Sequence, residues 1–313
     1  KWRYLVSNLM TISLKRSGGY TIPDKIFVKE DGLWKECIGV YANKDGTWTQ
    51  VFVNNVTITL SGLVKNINIW DEVVARIGSV PYPVVANVIL NSGCNIVDDA
   101  TNSTIPYTFA FTDGDFSAGS VINLTLNTNA TITGRGGNGG FGTASENNNG
   151  QSGQPGTNAI YTRTPIVINN SGVIGGGGGG GGGGNGQRTY HAAGNGGGGA
   201  GGYHQATSSF GQNPNTSTQN FSIPASYGGI GAGPRAERNY SPKAANGTIL
   251  TGGAGSASSE GGNSRKGGNG GDIGQNGVTG TGGSYGGGQA GYAVDGYSYL
   301  TFTKRGTFVG KTK

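Results

Sequence analysis

Two cysteines, two histidines and one methionine among 313 residues leave little for metal or redox chemistry. Cys37 and Cys94 are too few for a disulfide scaffold, and no Cys/His cluster has metal-ligand spacing, so neither a metal nor any other cofactor is expected. No apolar run is long enough to span a bilayer and no leader peptide is recognisable, so membrane insertion is not expected. The chain begins at Lys1 rather than Met, which reads as the start of a processed or truncated piece. With only 10 prolines and no Gly-X-Y period, a collagen-like triple helix is excluded.

Acid–base machinery is equally sparse. His191 and His204 both lie in glycine-rich sequence, far from the carboxylate pairs Asp98-Asp99 and Asp113-Gly114-Asp115. Neither pair opens the ligand ladder of an EF-hand, and turn chemistry accounts for both more simply. Gly134-Arg135-Gly136-Gly137 lacks the Lys-Ser/Thr that would make it a phosphate loop. A polysaccharide depolymerase would need a repeating β-helix pattern and clustered carboxylates, and residues 134–313 hold only five acidic residues. No catalytic role is expected.

What is abundant is glycine: 65 residues, of which 55 fall in the 180 residues from 134 onward. Gly175–Gly184 is an unbroken run of ten. Shorter tracts surround it at 134–140, 194–202, 228–233, 252–255, 267–271, 280–283 and 286–288. Such a run has no side chain to bury, so it is either a flexible linker or a rod held by its backbone. A glycine chain in the polyproline-II conformation has about 3 residues per turn, makes no internal hydrogen bonds and turns its N–H and C=O groups outward. One rod alone would be disordered, because ordering costs about 1–2 kcal/mol per residue and glycine is the worst case. Many rods that share bonds can offset this, and the recurrence of the tracts favours a lattice. Gly175, Gly179 and Gly184 are the expected scaffold positions. The predicted fold is a mostly β N-terminal part with one short helix, then a glycine-rich sandwich of packed polyglycine-II helices with long loops.

Three segments are predicted. Residues 1–53 hold two similar units, 25–36 and 40–50, each reading as strand, Asp-Gly turn, strand. They are read as an attachment module with Trp2, Trp34 and Trp48 as aromatic anchors. Residues 54–133 read as a small β-rich domain with short strands and one helix, capped by Asn68 and ending near Ile77. Residues 134–313 read as the glycine-rich domain, closed by a C-terminal hairpin over 293–309.

Charge divides at the same place. Residues 1–133 carry 10 basic and 11 acidic residues, whereas residues 134–313 carry 12 and 5. A basic, loop-rich surface suits an acidic partner, and equally it can keep a lattice of neutral glycine dispersed. Nucleic acid is not expected, since the basic residues are dispersed and no binding motif accompanies them. The insertions between tracts hold Arg188, Tyr190, His191, Tyr203, His204, Phe210, Arg235, Arg238 and Tyr240. Tyr and Arg dominate binding hot spots, and Tyr-, Ser-, Gly- and Asn-rich loops suit adaptable recognition. The alternative for each aromatic is that it folds back over the lattice flank. The exposed tip is assigned first to 185–193, then to 142–158 and then to 234–251.

Residues 131–140, the stretch 160–174 leading into ten glycines, and the tail motifs 290–296 and 306–310 resemble the glycine-rich adhesins of tailed-phage fibre tips. The nearest group is the T-even-type long-tail-fibre receptor-recognition protein; similar modules end the central tail fibres of lambda-like siphophages. The resemblance covers roughly residues 54–313, while the hairpins at 25–50 are more like tail-tip modules. It implies a polyglycine-II sandwich at the distal tip of a virion fibre, assembled in the host cytoplasm. Its variable loops would bind a Gram-negative outer-membrane protein, in preference to lipopolysaccharide, with the rest of the fibre or tail tip as second partner. One copy capping a trimeric fibre and three copies continuing one are both compatible with it. A glycine-rich connector without receptor binding is the rival reading.

Overall fold

The computed structural model describes residues 4–7, 14–16, 19–21, 26–30, 33–37, 39–44, 47–78, 83–99, 109–143, 150–185, 193–204, 226–229, 231, 243–258, 265–282 and 285–313, with backbone only for those up to 54 and for 203, 204 and 226. The strands are, in order, β1 (Tyr4–Ser7), β2 (Leu14–Arg16), β3 (Gly19–Thr21), β4 (Ile26–Glu30), β5 (Leu33–Cys37), β6 (Gly39–Lys44) and β7 (Thr47–Leu60). Then come β8 (Leu63–Lys65), β9 (Ile67–Asn68), helix α1 (Ile69–Ile77), β10 (Val84–Leu90), β11 (Asn95–Val97), β12 (Phe109–Thr112), β13 (Val121–Leu126) and β14 (Thr131–Thr133). The rest are β15 (Asn158–Tyr161), β16 (Ile166–Asn170), β17 (Val173–Gly175), β18 (Tyr203–His204), β19 (Ser226–Tyr227), β20 (Tyr292–Asp295), β21 (Leu300–Lys304), β22 (Thr307–Val309) and β23 (Lys311–Thr312). The chain is thus mostly strand, with one α-helix among the described residues.

β4 pairs antiparallel with β5 and β6 with β7, with Glu30 opposite Leu33 and Lys44 opposite Thr47 across the predicted Asp-Gly positions. After β7 the pairing changes character. β7, β10, β13, β16 and β21 run parallel, as do β8, β11, β14, β17 and β22, and likewise β9, β12, β15, β20 and β23. Each successive triplet is one turn of a three-sided parallel solenoid, in which every coil rests on its neighbours.

Alternation along each strand sends the odd or even residues inward, and in-register stacking then lines them up in columns. One column is Ile58, Val88, Leu124, Ile168 and Phe302. A second is Val64, Ile96, Ile132, Ile174 and Phe308. The first four of the Ile58 column are buried, whereas Phe302 and Phe308 at the last coil are half-buried and meet edge to face at 5.5 Å. Polar residues between columns find each other across coils: Asn123 donates to Asn87 at 2.9 Å.

Helix α1 forms where expected. The Asn68 side chain accepts from the Trp70 and Asp71 amides at 3.0 and 3.4 Å, and Gly78 ends the helix at φ 74°. Ile69 and Val73 are its buried face.

Two sequence expectations change. Residues 54–133 are not a separate small domain, because their coils are continued by 158–175 and 292–312. The C-terminal strands make no hairpin: β21, β22 and β23 pair in parallel with β16, β17 and β20. Period-two alternation tells which face a residue takes, not which strand it will pair with. The glycine-rich segments are insertions in the solenoid, 134–157 between β14 and β15 and 176–291 between β17 and β20. No helix among the described residues is long and apolar enough to cross a membrane.

Candidate functional site

The glycine tracts leave the solenoid as continuations of its strands. β14 and β17 are paired to Thr133 opposite Gly175, and the next amide, Gly134, donates to the Gly175 carbonyl at 3.1 Å. From there the bonds recur every third residue: Gly137 to Gly178, Gly140 to Gly181 and Thr143 to Gly184, at 2.8 to 3.0 Å.

The tract 176–184 uses its other groups on other neighbours. Gly177, Gly180 and Gly183 donate to Thr157, Gln154 and Gln151; Gly178, Gly181 and Gly184 to Ala200, Gly197 and Gly194; Gly179, Gly182 and Asn185 to Gln275, Val278 and Thr281. Its carbonyls at 176, 179 and 182 accept from Gly274, Gly271 and Gly268, and those at 177 and 180 from Gly291 and Gly288. With 134–143, the central tract therefore bonds six neighbouring tracts among the described residues. Residues 193–201 are enclosed in the same manner by 134–143, 176–184, 229, 245–248, 253–256 and 265–271.

Such spacing has no room for side chains. A Cβ on Gly179 would collide with the Gly288 carbonyl, and one on Gly184 with that of Arg265. At Gly175 the obstacle is a side chain, since a Cβ there would sit 2.6 Å from Ile273. At four tract positions an asparagine side chain replaces a missing backbone partner. Oδ1 of Asn195, Asn246, Asn269 and Asn276 accepts from the amides of Gly142, Gly231, Gly255 and Ala290 at 2.8 to 3.0 Å.

Register also fixes direction. Tract 134–143 runs parallel to 176–184, 151–157 antiparallel, 193–201 antiparallel, 265–271 antiparallel, 275–281 parallel and 288–291 antiparallel. Successive tracts alternate. Thr143, Gln151, Asn185, Ala193, Ser256, Arg265, Thr281 and Tyr285 consequently gather at the end marked by Gly183 and Gly184. The opposite end, at Gly134, Thr157, Gly176 and Gly291, is fused to β14, β15, β17 and β20.

This arrangement sorts the candidate residues. Arg188, Tyr190 and His191 lie outside the described residues, between Asn185 and Ala193 at the far end. Arg235, Arg238 and Tyr240 are also outside them, between Gly231 and Lys243, where the Gly231 amide donates to Asn246. Tyr203 and His204 form β18, paired antiparallel with β19, next to Gly202, whose amide reaches the Thr133 hydroxyl at the solenoid end. Phe210, outside the described residues, follows from there. Of the nine candidates the described residues therefore place only Tyr203 and His204, at the solenoid end. Sequence reasoning grouped all nine because aromatic content does not reveal which end of a rod a loop joins. Trp2 lies outside the described residues, while Trp34 and Trp48 sit on β5 and β7.

The Asp98-Asp99 pair is not a surface turn. Asp98 and Asp99 are buried; Asp98 accepts from Asn66 at 2.6 Å and from the Thr157 hydroxyl at 2.5 Å, and Asp99 pairs with Lys65 at 2.7 Å. Thr157 in turn accepts the Arg135 amide at 2.7 Å, so Asp98 ties the second coil to the root of two tracts. Arg163 pairs with Asp295 at 2.9 Å, which also holds Lys313 at 3.3 Å. Burial opposes the charge of Asp295, but the hydrogen bonds from Arg163 and Lys313 outweigh it and hold the carboxyl below its ordinary range. Burial pushes the free Cys94 thiol upward.

A family model described as phage tail fibre adhesin Gp38 matches residues 55–313, the whole of the solenoid and its glycine insertions. The chain belongs to this family. It is also similar to a solved structure, the crystal structure of the gp37-gp38 adhesin tip complex of the bacteriophage S16 long tail fiber, with 24% identity over 83% of each chain and a TM-score of 0.47. No curated protein matches it.

Proposed function

We propose that this adhesin is the receptor-recognition tip of its fibre, and that its tracts are polyglycine-II rods packed as a sandwich. The three-residue recurrence of bonds supports that conformation, because only a helix of about 3 residues per turn aims every third amide at the same neighbour. The far end of the rods then presents segments 144–149, 186–192, 232–242 and 259–264 together. One observation carries the functional reading: the tract ends Asn185 and Ala193 lie beside Thr143 and Arg265, away from the solenoid.

Arg188, Tyr190, His191, Arg235, Arg238 and Tyr240 are the proposed contacts. A support braced by six neighbours preorganises its loops, so less ordering entropy is lost on binding. Basic residues in these loops suit the acidic loops of a Gram-negative outer-membrane protein better than they suit lipopolysaccharide sugar. The mechanism is binding without catalysis. Residues 1–53, with Trp34 and Trp48, are proposed to join the chain to the rest of the fibre, assembly taking place in the host cytoplasm.

Purified protein should block phage adsorption to sensitive cells, and resistant bacterial mutants should map to one outer-membrane protein. If saturating protein leaves adsorption unchanged, the chain is a connector and not the recognition tip.

A further inference from the structure

Beside the solenoid, well away from the far end of the rods, a cleft of about 450 Å³ is lined by Phe109, Thr112, Asp113, Gly114, Asp115, Tyr161 and Arg163. It lies where β12 and β15 end and their turns begin. Phe109 and Tyr161 are 5.1 Å apart with their planes inclined at 53°, so the rings form a corner and not a closed stack. The Arg163 guanidinium covers Tyr161 at 4.4 Å and is itself neutralised by Asp295. Gly114 keeps the floor low: with φ at 81°, a Cβ there would run into Asn68 and Trp70.

The acceptors in this cleft are not all used. Asp113 is 2% exposed, and its Oδ2 accepts from the amides of Arg163 and Thr164, both at 2.8 Å, and from the Thr162 hydroxyl at 3.3 Å. Its Oδ1 accepts nothing among the described residues. Nor does the exposed carboxylate of Asp115. Both groups therefore face the cleft as acceptors that a ligand's hydroxyl donors can take over from solvent.

We infer that the cleft binds a neutral pyranose ring, as a single sugar or as a residue of a surface oligosaccharide. Such a ring carries several hydroxyl donors on its edge for acceptor-only carboxylates and apolar C–H faces for aromatic walls. A pocket of a few hundred Å³ with aromatic sides and a few convergent polar groups has the proportions of a small-ligand site. An anion is disfavoured by Asp113 and Asp115, with the nearest cation already paired. Two carboxylates alone are a thin cage for calcium, which takes 6–8 oxygen ligands. This site is independent of the loops at the far end. It would give the adhesin a second contact with the cell surface.

Saturation-transfer NMR on the full chain tests it, with methyl α-glucopyranoside, galactopyranoside and mannopyranoside as free sugars and a released lipopolysaccharide core oligosaccharide as the glycan. Transfer to sugar ring protons is expected in at least one case. Phe109→Ala and Asp115→Ala, neither of which removes a turn-holding bond, should each weaken it by about tenfold. The free-sugar and oligosaccharide arms distinguish a monosaccharide site from a glycan site. Absence of transfer from every probe overturns the inference, as does transfer undiminished in both variants. Binding of calcium alone at the cleft, or hydrolysis of the oligosaccharide, also overturns it. Blocked or unblocked adsorption bears only on the far-end loops.

Discussion

The Gly134 amide meets the Gly175 carbonyl at 3.1 Å, one residue beyond the last paired strand position of β14. At that bond a parallel β ladder passes into a lattice of bare backbone without losing register. The support for the loops is therefore an extension of the solenoid, and the two should be disturbed separately only by changes chosen for position.

Gly179→Val places a branched side chain against the Gly288 carbonyl in the enclosed central tract. It should destabilise the protein by at least about 3 kcal/mol, since neighbouring backbone cannot withdraw as a side chain can. Gly286→Ala is the control: nothing lies within 4 Å of its Cβ, and thermal melting should change by no more than about 0.5 kcal/mol. Equal effects at both sites would contradict a close-packed lattice.

Asp98→Ala removes the acceptor of the Thr157 hydroxyl at the root of two tracts. A loss of about 1–3 kcal/mol is expected from the polar groups left unpaired. Hydrogen exchange should quicken at the Arg135 amide, which Thr157 holds. An unchanged exchange rate there would show that the root is fixed by other bonds.

Asp295 links acid stability to the last coil. Its carboxyl is held below the ordinary value, so its contribution is present above the unfolded pKa of about 4 and is lost as pH falls through the lower folded one. Melting temperature should decline on acidification below about pH 4. In Asp295→Asn the part due to this group should vanish, leaving a shallower decline. Identical slopes would remove Asp295 from the account.

Tyr190→Ala and Arg188→Ala should each reduce cell binding by about tenfold or more, with melting unchanged, if the far-end loops make the receptor contact. Tyr203→Ala, on β18 at the solenoid end, should leave cell binding intact. The reverse pattern, measured with labelled protein on sensitive cells, would move the recognition surface to the other end.

Much of this was legible residue by residue. Asn68 announced the helix it caps, Asp31-Gly32 and Asp45-Gly46 announced their hairpins, and Thr133 marked the last strand position before the glycine. The solenoid was not legible. Ile58, Val88, Leu124, Ile168 and Phe302 each belong to an ordinary alternating segment, and nothing local says that they stack into one column across 245 residues of chain. Asp98 was read as a turn residue because its hydroxyl donor, Thr157, is 59 residues away.

Sequence by itself determined that the glycine tracts could hold together only through their backbone, since a run such as Gly175–Gly184 has no side chain to bury and every amide to satisfy. Tertiary structure alone decided which tracts neighbour which, and in what direction. Glycine carries no pattern that could encode register; the flanking strands β14, β15, β17 and β20 impose it, by fixing where the tracts begin and end.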